Sequence, residues 1–103
     1  METHSEDEVR RALGAGATLI GVNNRDLDTL ATDVGRAPRL RPLVPSDCVF
    51  VAESGISTRD DMRALADAGV DAVLIGEALL RARDPGERLR ELVAAGLQGG
   101  VRV

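Results

Sequence analysis

Lysine is absent from this chain of 103 residues, and all 13 of its basic residues are arginine. Nothing in it can serve as a lysine general acid, and arginine is no substitute, because it holds its proton with a pKa above about 12. Tryptophan and tyrosine are missing as well, and Phe50 is the one aromatic residue. That excludes the aromatic stacking platform of a single-strand nucleic-acid binder. The formal net charge of -4 argues against a phosphate-backbone footprint, so no nucleic-acid partner is expected. A single cysteine, Cys48, permits neither an internal disulfide nor a cysteine metal cluster. It begins an apolar run and reads as a small buried hydrophobe. No apolar run reaches the roughly 20 residues of a membrane helix, and the N-terminus is acidic rather than signal-like. The expectation is a cytoplasmic protein with no membrane partner, no metal and no cofactor.

What is present is aliphatic. Apolar residues make up 44% of the chain, enough for the core of one domain or part of one. Three short β-branched runs read as buried parallel strands: Thr18–Val22, Cys48–Ala52 and Asp71–Ile75. Ser5 and Glu8 have capping-box spacing and open a helix that buries Val9, Ala12 and Leu13 and stops at Gly14 or Gly16. A helix over 34–43 is expected despite Pro38. Thr58 caps a further helix with Met62, Leu65, Ala66 and Ala68 inward and Gly69 as its stop. "EALLRA" offers a short helix. Asp84 as N-cap, Pro85 at the first helical position and Glu87 open a last helix, expected to end near Ala95. "LQGGVRV", residues 97–103, carries no assignment and is expected to fray as a tail. The order α-β-α-β-α-β-α with strands apolar on both faces predicts an α/β fold, a parallel sheet covered by helices. "GATLIG" and "GVDAVLIG" echo one another about 55 residues apart, too far for a solenoid repeat.

The polar residues cluster where these strands end. Asn23, Asn24, Arg25 and Asp26 follow the first, Glu53, Ser54 and Gly55 the second, Gly76 and Glu77 the third. The strand starts carry no such marks. In parallel α/β proteins ligands bind at the C-terminal strand ends. Polar turn residues explain any one loop equally well; three consecutive loops favour a site. Bare glycine backbone at Gly55 and Gly76, with Gly76 opening a short helix, suits phosphate, and Arg25 adds a fork of donors. Asp60, Asp61, Asp67 and the arginines of the last helix read as solvated faces.

The segments "IGVNNRDL" (20–27), "VAESGIS" (51–57) and "DAVLIGEALLRARDP" (71–85) resemble, in order and spacing, the C-terminal half of indole-3-glycerol-phosphate synthase. The resemblance covers residues 1 to about 95. It implies a (βα)8 barrel of tryptophan biosynthesis that closes the indole ring of 1-(2-carboxyphenylamino)-1-deoxyribulose 5-phosphate, releasing carbon dioxide and water. Residues 1–96 would then run from the end of barrel strand 5 through helix 8. The resemblance implies Glu2, Asn23 and Glu53 as catalytic residues and Arg25 and Ser54 as substrate contacts. It implies Gly55, Gly76 and Glu77 as the phosphate site. Some relatives carry serine at position 77, so the Glu77 carboxylate is expected to point away from a dianion. His4, the sole histidine, is expected to be structural. The lysines used by the family belong to the missing half, so this chain is expected to be inactive alone, with an N-terminal half-barrel or a second copy as partner. Two alternatives stand beside this: a non-enzymatic phosphate-binding or self-assembling module, and another phosphate-binding barrel enzyme such as phosphoribosylanthranilate isomerase, which lacks the Asn-Asn-Arg run.

Overall fold

Backbone pairing in the computed structural model, which describes residues 1–101 without the side chains of 97–99, gives one parallel sheet. Its strands are β1 (Glu2–Thr3), β2 (Leu19–Asn23), β3 (Val49–Glu53) and β4 (Ala72–Leu74), adjacent in chain order. Glu2 pairs with Gly21, and Asn23 pairs with Glu53, which in turn pairs with Leu74. The ladder thus carries β2 and β3 one residue further than their apolar runs, so that Asn23 and Glu53 are the last residues of strands rather than the first of loops.

The helices are α1 (Glu6–Gly14), α2 (Arg36–Leu40) followed by a 3-10 turn (Arg41–Leu43), α3 (Arg59–Asp67), α4 (Glu77–Arg81) and α5 (Pro85–Gly99). The caps are those the sequence spells. Ser5 Oγ accepts from Glu8 N at 3.2 Å, and the Glu8 carboxylate returns to the N–H of His4 at 3.0 Å. At α3 the box closes fully: Asp61 N donates to Thr58 Oγ1, and Thr58 N donates to Asp61 Oδ2, each at 3.1 Å. Gly69, with φ +85°, ends the element as expected.

Two helix boundaries differ from expectation. The helix expected over 34–43 is only five residues of α-helix and then tightens to 3-10. Pro38 falls in the first turn, where the backbone N–H has no carbonyl partner to lose. The last helix runs to Gly99 rather than stopping near Ala95. Beyond it, Val101 is fully buried and its N–H donates to Gly96 O at 2.8 Å. Gly96 permits this: a Cβ there would meet Met62 Cε at 2.7 Å and Val101 O at 2.8 Å. The expected tail is therefore folded as far as Val101; residues 102–103 lie outside the described residues.

Successive strand side chains alternate between faces, and the two faces of this sheet differ. Ile20, Val22, Phe50, Ala52 and Val73 are buried against Val9 and Ala12 of α1, Ala37 and Leu40 of α2, Met62 and Leu65 of α3, and Leu92 and Ala95 of α5. Cys48 joins this core. The opposite face carries Leu19, Val49 and Leu74, which remain 50%, 46% and 62% exposed. It also carries Glu2, Gly21, Asn23 and Glu53 in register. The helices thus cover one face, and the polar strand ends belong to the other.

Candidate active site at the strand ends

The loop after β3 is bent hard. Ser54 and Gly55 have φ of +70° and +75°, consecutive left-handed residues, and only the second is free of a Cβ penalty. A Cβ at Gly55 would press on Thr32 Cβ at 3.2 Å and Val34 Cγ1 at 3.3 Å, so this glycine also lets the loop after β2 pack across it. Gly76, the N-cap of α4, differs: nothing lies within 4 Å of where its Cβ would be.

Asn24 holds the bend. It is fully buried; its Nδ2 donates to Ser54 O at 3.1 Å, and its Oδ1 accepts from Ala37 N at 3.1 Å. One side chain thus ties the loops after β2 and β3 to the start of α2. The sequence marked Asn24 only as a polar strand-end residue, and nothing in the residue order distinguishes it from its neighbour.

A cavity of about 580 Å³ opens here, lined by Arg25, Glu53, Ser54, Gly55, Gly76, Glu77 and Arg81 among others. Six of the sequence-derived site residues therefore line one space. Asn23 and Glu2 do not line it; they join it through Glu53. Asn23 pairs with Glu53 in the ladder, and its Nδ2 donates to Glu2 Oε1 at 3.3 Å. Burial pushes the Glu53 carboxyl above its ordinary range, and the neighbouring Glu2 carboxyl pushes it further. Two acids sharing one patch of sheet resist joint ionisation, so Glu53 keeps its proton to higher pH than a free glutamate does.

Arg81 was not singled out from the sequence, yet it belongs to the cavity wall. Glu77 Oε2 accepts from Arg25 Nη2 at 2.5 Å and Glu77 Oε1 accepts from Arg81 Nη2 at 2.6 Å. The Arg25 bond, then Arg81, hold the Glu77 carboxyl below its usual range. Among the described residues, the buried polar side-chain atoms without a partner are Arg25 Nε and His4 Nε2. His4 Nδ1 lies 3.2 Å from Glu8 Oε1, at the start of α1. No group of three His, Cys, Asp or Glu side chains suited to a metal ion occurs among the described residues. No helix among them is long and apolar enough to cross a membrane.

A parallel sheet flanked by helices, with acids, arginines and glycines gathered at the C-terminal strand ends, defines an α/β protein of the kind found in part of a (βα)8 barrel. The comparisons with known proteins name it further. The family model described as Indole-3-glycerol phosphate synthase matches residues 1–92, and the chain belongs to that family. It is 49% identical over 102 residues to indole-3-glycerol phosphate synthase 1 of Streptomyces coelicolor, covering 99% of this chain and 38% of that relative. It is 51% identical over 92 residues to the Ruminiclostridium cellulolyticum synthase, covering 89% of this chain and 35% of that protein. The chain therefore spans little more than a third of the length of these relatives. A chain of the Amycolatopsis orientalis BexX/CysO complex superposes with a TM-score of 0.75 at 21% identity, over 93% of this chain and 39% of that one, a likeness of fold.

Proposed function

We propose that this chain is the C-terminal half of a (βα)8 barrel, and that it supplies one wall of an indole-3-glycerol-phosphate synthase active site. The observation that carries the reading is the shared patch of Glu2, Asn23 and Glu53, set beside the cavity lined by Arg25, Gly55 and Gly76. Family membership supplies the substrate class, a phosphorylated anthranilate-derived ribulose whose ring closure releases carbon dioxide and water.

Each residue has a task under this reading. Closure and dehydration need a proton delivered to oxygen and another removed from the closing ring. A carboxyl whose pKa is raised by burial and by a second acid can perform either transfer. Asn23 orients Glu2 through its amide donor. Ser54 presents its hydroxyl at the bend. The phosphate takes the backbone N–H groups near Gly55 and Gly76, with Arg25 as its cation. Glu77 competes with the phosphate for that arginine. The second wall, with the lysine that acts as proton donor in the family, belongs to the N-terminal half, and the apolar side chains of the open sheet face are where that half packs. The purified chain alone then shows no turnover.

The test is a mixture of this chain with a lysine-bearing N-terminal half from a related synthase. Turnover of 1-(2-carboxyphenylamino)-1-deoxyribulose 5-phosphate should appear in the mixture only. Glu53→Gln in this chain should then lower it by about 100- to 10,000-fold, the usual cost of one acid–base group. Turnover by this chain alone, free of host enzyme, overturns the assignment of halves; no turnover in an associated mixture favours a non-enzymatic module.

A further inference from the structure

Gly21 sits in the middle of β2 with no turn to make. Its φ is not among the positive values of the chain, and it is buried in the ladder between Glu2 and Val51. Glycine in a strand interior loses backbone entropy and packs nothing, so it marks a close approach by something else. Here that something is the Glu53 carboxylate. A Cβ built on Gly21 would lie 2.8 Å from Glu53 Oε2, while its next neighbours, Met1 O at 3.7 Å and Glu2 Cα at 3.8 Å, are ordinary contacts.

We propose that Gly21 is a positioning residue for Glu53: its missing side chain is the space in which the Glu53 carboxylate lies flat on the sheet beside Glu2. The backbone around Gly21 is anchored on both sides. Its N–H donates to Met1 O at 2.8 Å, and its carbonyl accepts from the buried Thr3 Oγ1 at 2.8 Å. The part free to yield is the end of the Glu53 side chain. On the open face of the sheet it yields outward, toward solvent and the cavity and away from Glu2. Gly21 lies two residues before Asn23 and on the same face, so β2 alternates a seat for one acid with an amide that fixes the other. The charged groups around Glu53 are the Glu2 carboxyl, His4 and the Met1 ammonium. The catalytic weight of this arrangement rests on the proposed synthase reading; the seat itself does not.

Two measurements on the chain alone test it, and neither needs turnover, so their failure is separate from failure of the synthase reading. In a cycle of Gly21→Ala and Glu53→Ala followed by thermal unfolding, Gly21→Ala should raise the melting temperature more in the Glu53→Ala background than beside Glu53. Should Gly21→Ala fold only in the Glu53→Ala background, the same coupling is shown. An equal change in both backgrounds, or failure to fold in both, overturns the proposal. In a carboxyl ¹³C titration, Gly21→Ala should lower the Glu53 midpoint toward that of an ordinary glutamate, because the group moves to water and away from Glu2. An unmoved midpoint in the folded variant overturns it as well.

Discussion

Arg25 Nη2 donates to Glu77 Oε2 at 2.5 Å across the cavity, joining the loop after β2 to the first turn of α4, 52 residues later in the chain. Both side chains are partly exposed, at 35% and 46%. The same carboxylate also receives Arg81. An internal anion thus holds the cation that the proposed phosphate site at Gly55 and Gly76 would use. Glu77→Ser should tighten inorganic phosphate binding by about two- to fivefold, the range carried by one exposed charge pair. Amide shifts in a phosphate titration by NMR measure this, with the Gly55 and Gly76 loops moving first. Weaker binding in the variant would mean that Glu77 orders the site rather than competing for it.

The Glu53 carboxyl sets a pH dependence whose sign is fixed. Its folded-state pKa is raised by burial and by Glu2. The folded chain therefore holds its proton more firmly than the unfolded chain does. The stability this contributes is fully present below the ordinary glutamate range and is lost as pH rises through the folded value. Asp26 and Asp33 have lowered values, Asp26 through the N–H groups of Thr29 and Asp28, Asp33 through Arg39 and the N–H of Gly35. Their contribution has the opposite sense, present above the ordinary aspartate range and lost as pH falls through the folded value. Melting temperatures from about pH 4 to 8 should fall less steeply above the ordinary glutamate range for Glu53→Gln than for the parent. Parallel curves would show that Glu53 titrates as a free glutamate.

Much of this was legible in the residue order because local signals agreed with one another. Thr58 and Asp61 form the capping box their spacing implies, and three apolar runs became three adjacent parallel strands. The ends were less legible, because a parallel ladder extends over polar residues when a neighbour pairs with them. Hydrophobic pattern alone stopped β2 at Val22 and β3 at Ala52, whereas the pairing of Asn23 with Glu53 adds one residue to each. The extent of α5 was hidden because residues 97–103 carry no assignable pattern, while the bare face of Gly96 admits Met62 and the returning chain. Strands apolar on both faces implied cover on both; the helices cover one, and Leu19, Val49 and Leu74 stand exposed on the other. At the site, residue types announced Glu53, Arg25 and the glycines. The functions of Gly21 and Asn24 depend on what lies opposite them in space, and composition carries no trace of that.

Asn24 provides a prediction about the bend. Its removal leaves the buried Ala37 N–H and the part-buried Ser54 carbonyl without their partner. Leaving buried polar groups unpaired costs about 1–3 kcal/mol. Asn24→Ala should therefore destabilise the chain by that amount in urea unfolding. It should also move the Ser54 and Gly55 amides, because the left-handed pair loses its tether. Asn24→Asp should cost at least as much, since an oxygen would face the Ser54 carbonyl where a donor now stands. A variant as stable as the parent would mean that water replaces the amide without loss.

The open sheet face makes a prediction that separates folding from assembly. Leu19 and Val49 are register partners at the end of the sheet away from the cavity, 50% and 46% exposed. In the chain alone, an arginine at either position reaches water, and exposed substitutions of this kind change stability by no more than about 0.5 kcal/mol. Under the proposed half-barrel reading an N-terminal half packs over this face, and the same positions become interior. Burying a valine or leucine contributes about 1.5–3 kcal/mol, and an unpaired buried charge costs more than the loss of that contribution. Leu19→Arg or Val49→Arg should thus leave the melting temperature of the chain nearly unchanged. Either should weaken its association with an N-terminal half by at least about tenfold, as read by gel filtration or calorimetry. The acids at the other end of the sheet are untouched, so saturating the variant with the partner half should recover turnover. Undiminished association would place the contact between the halves elsewhere than on this face.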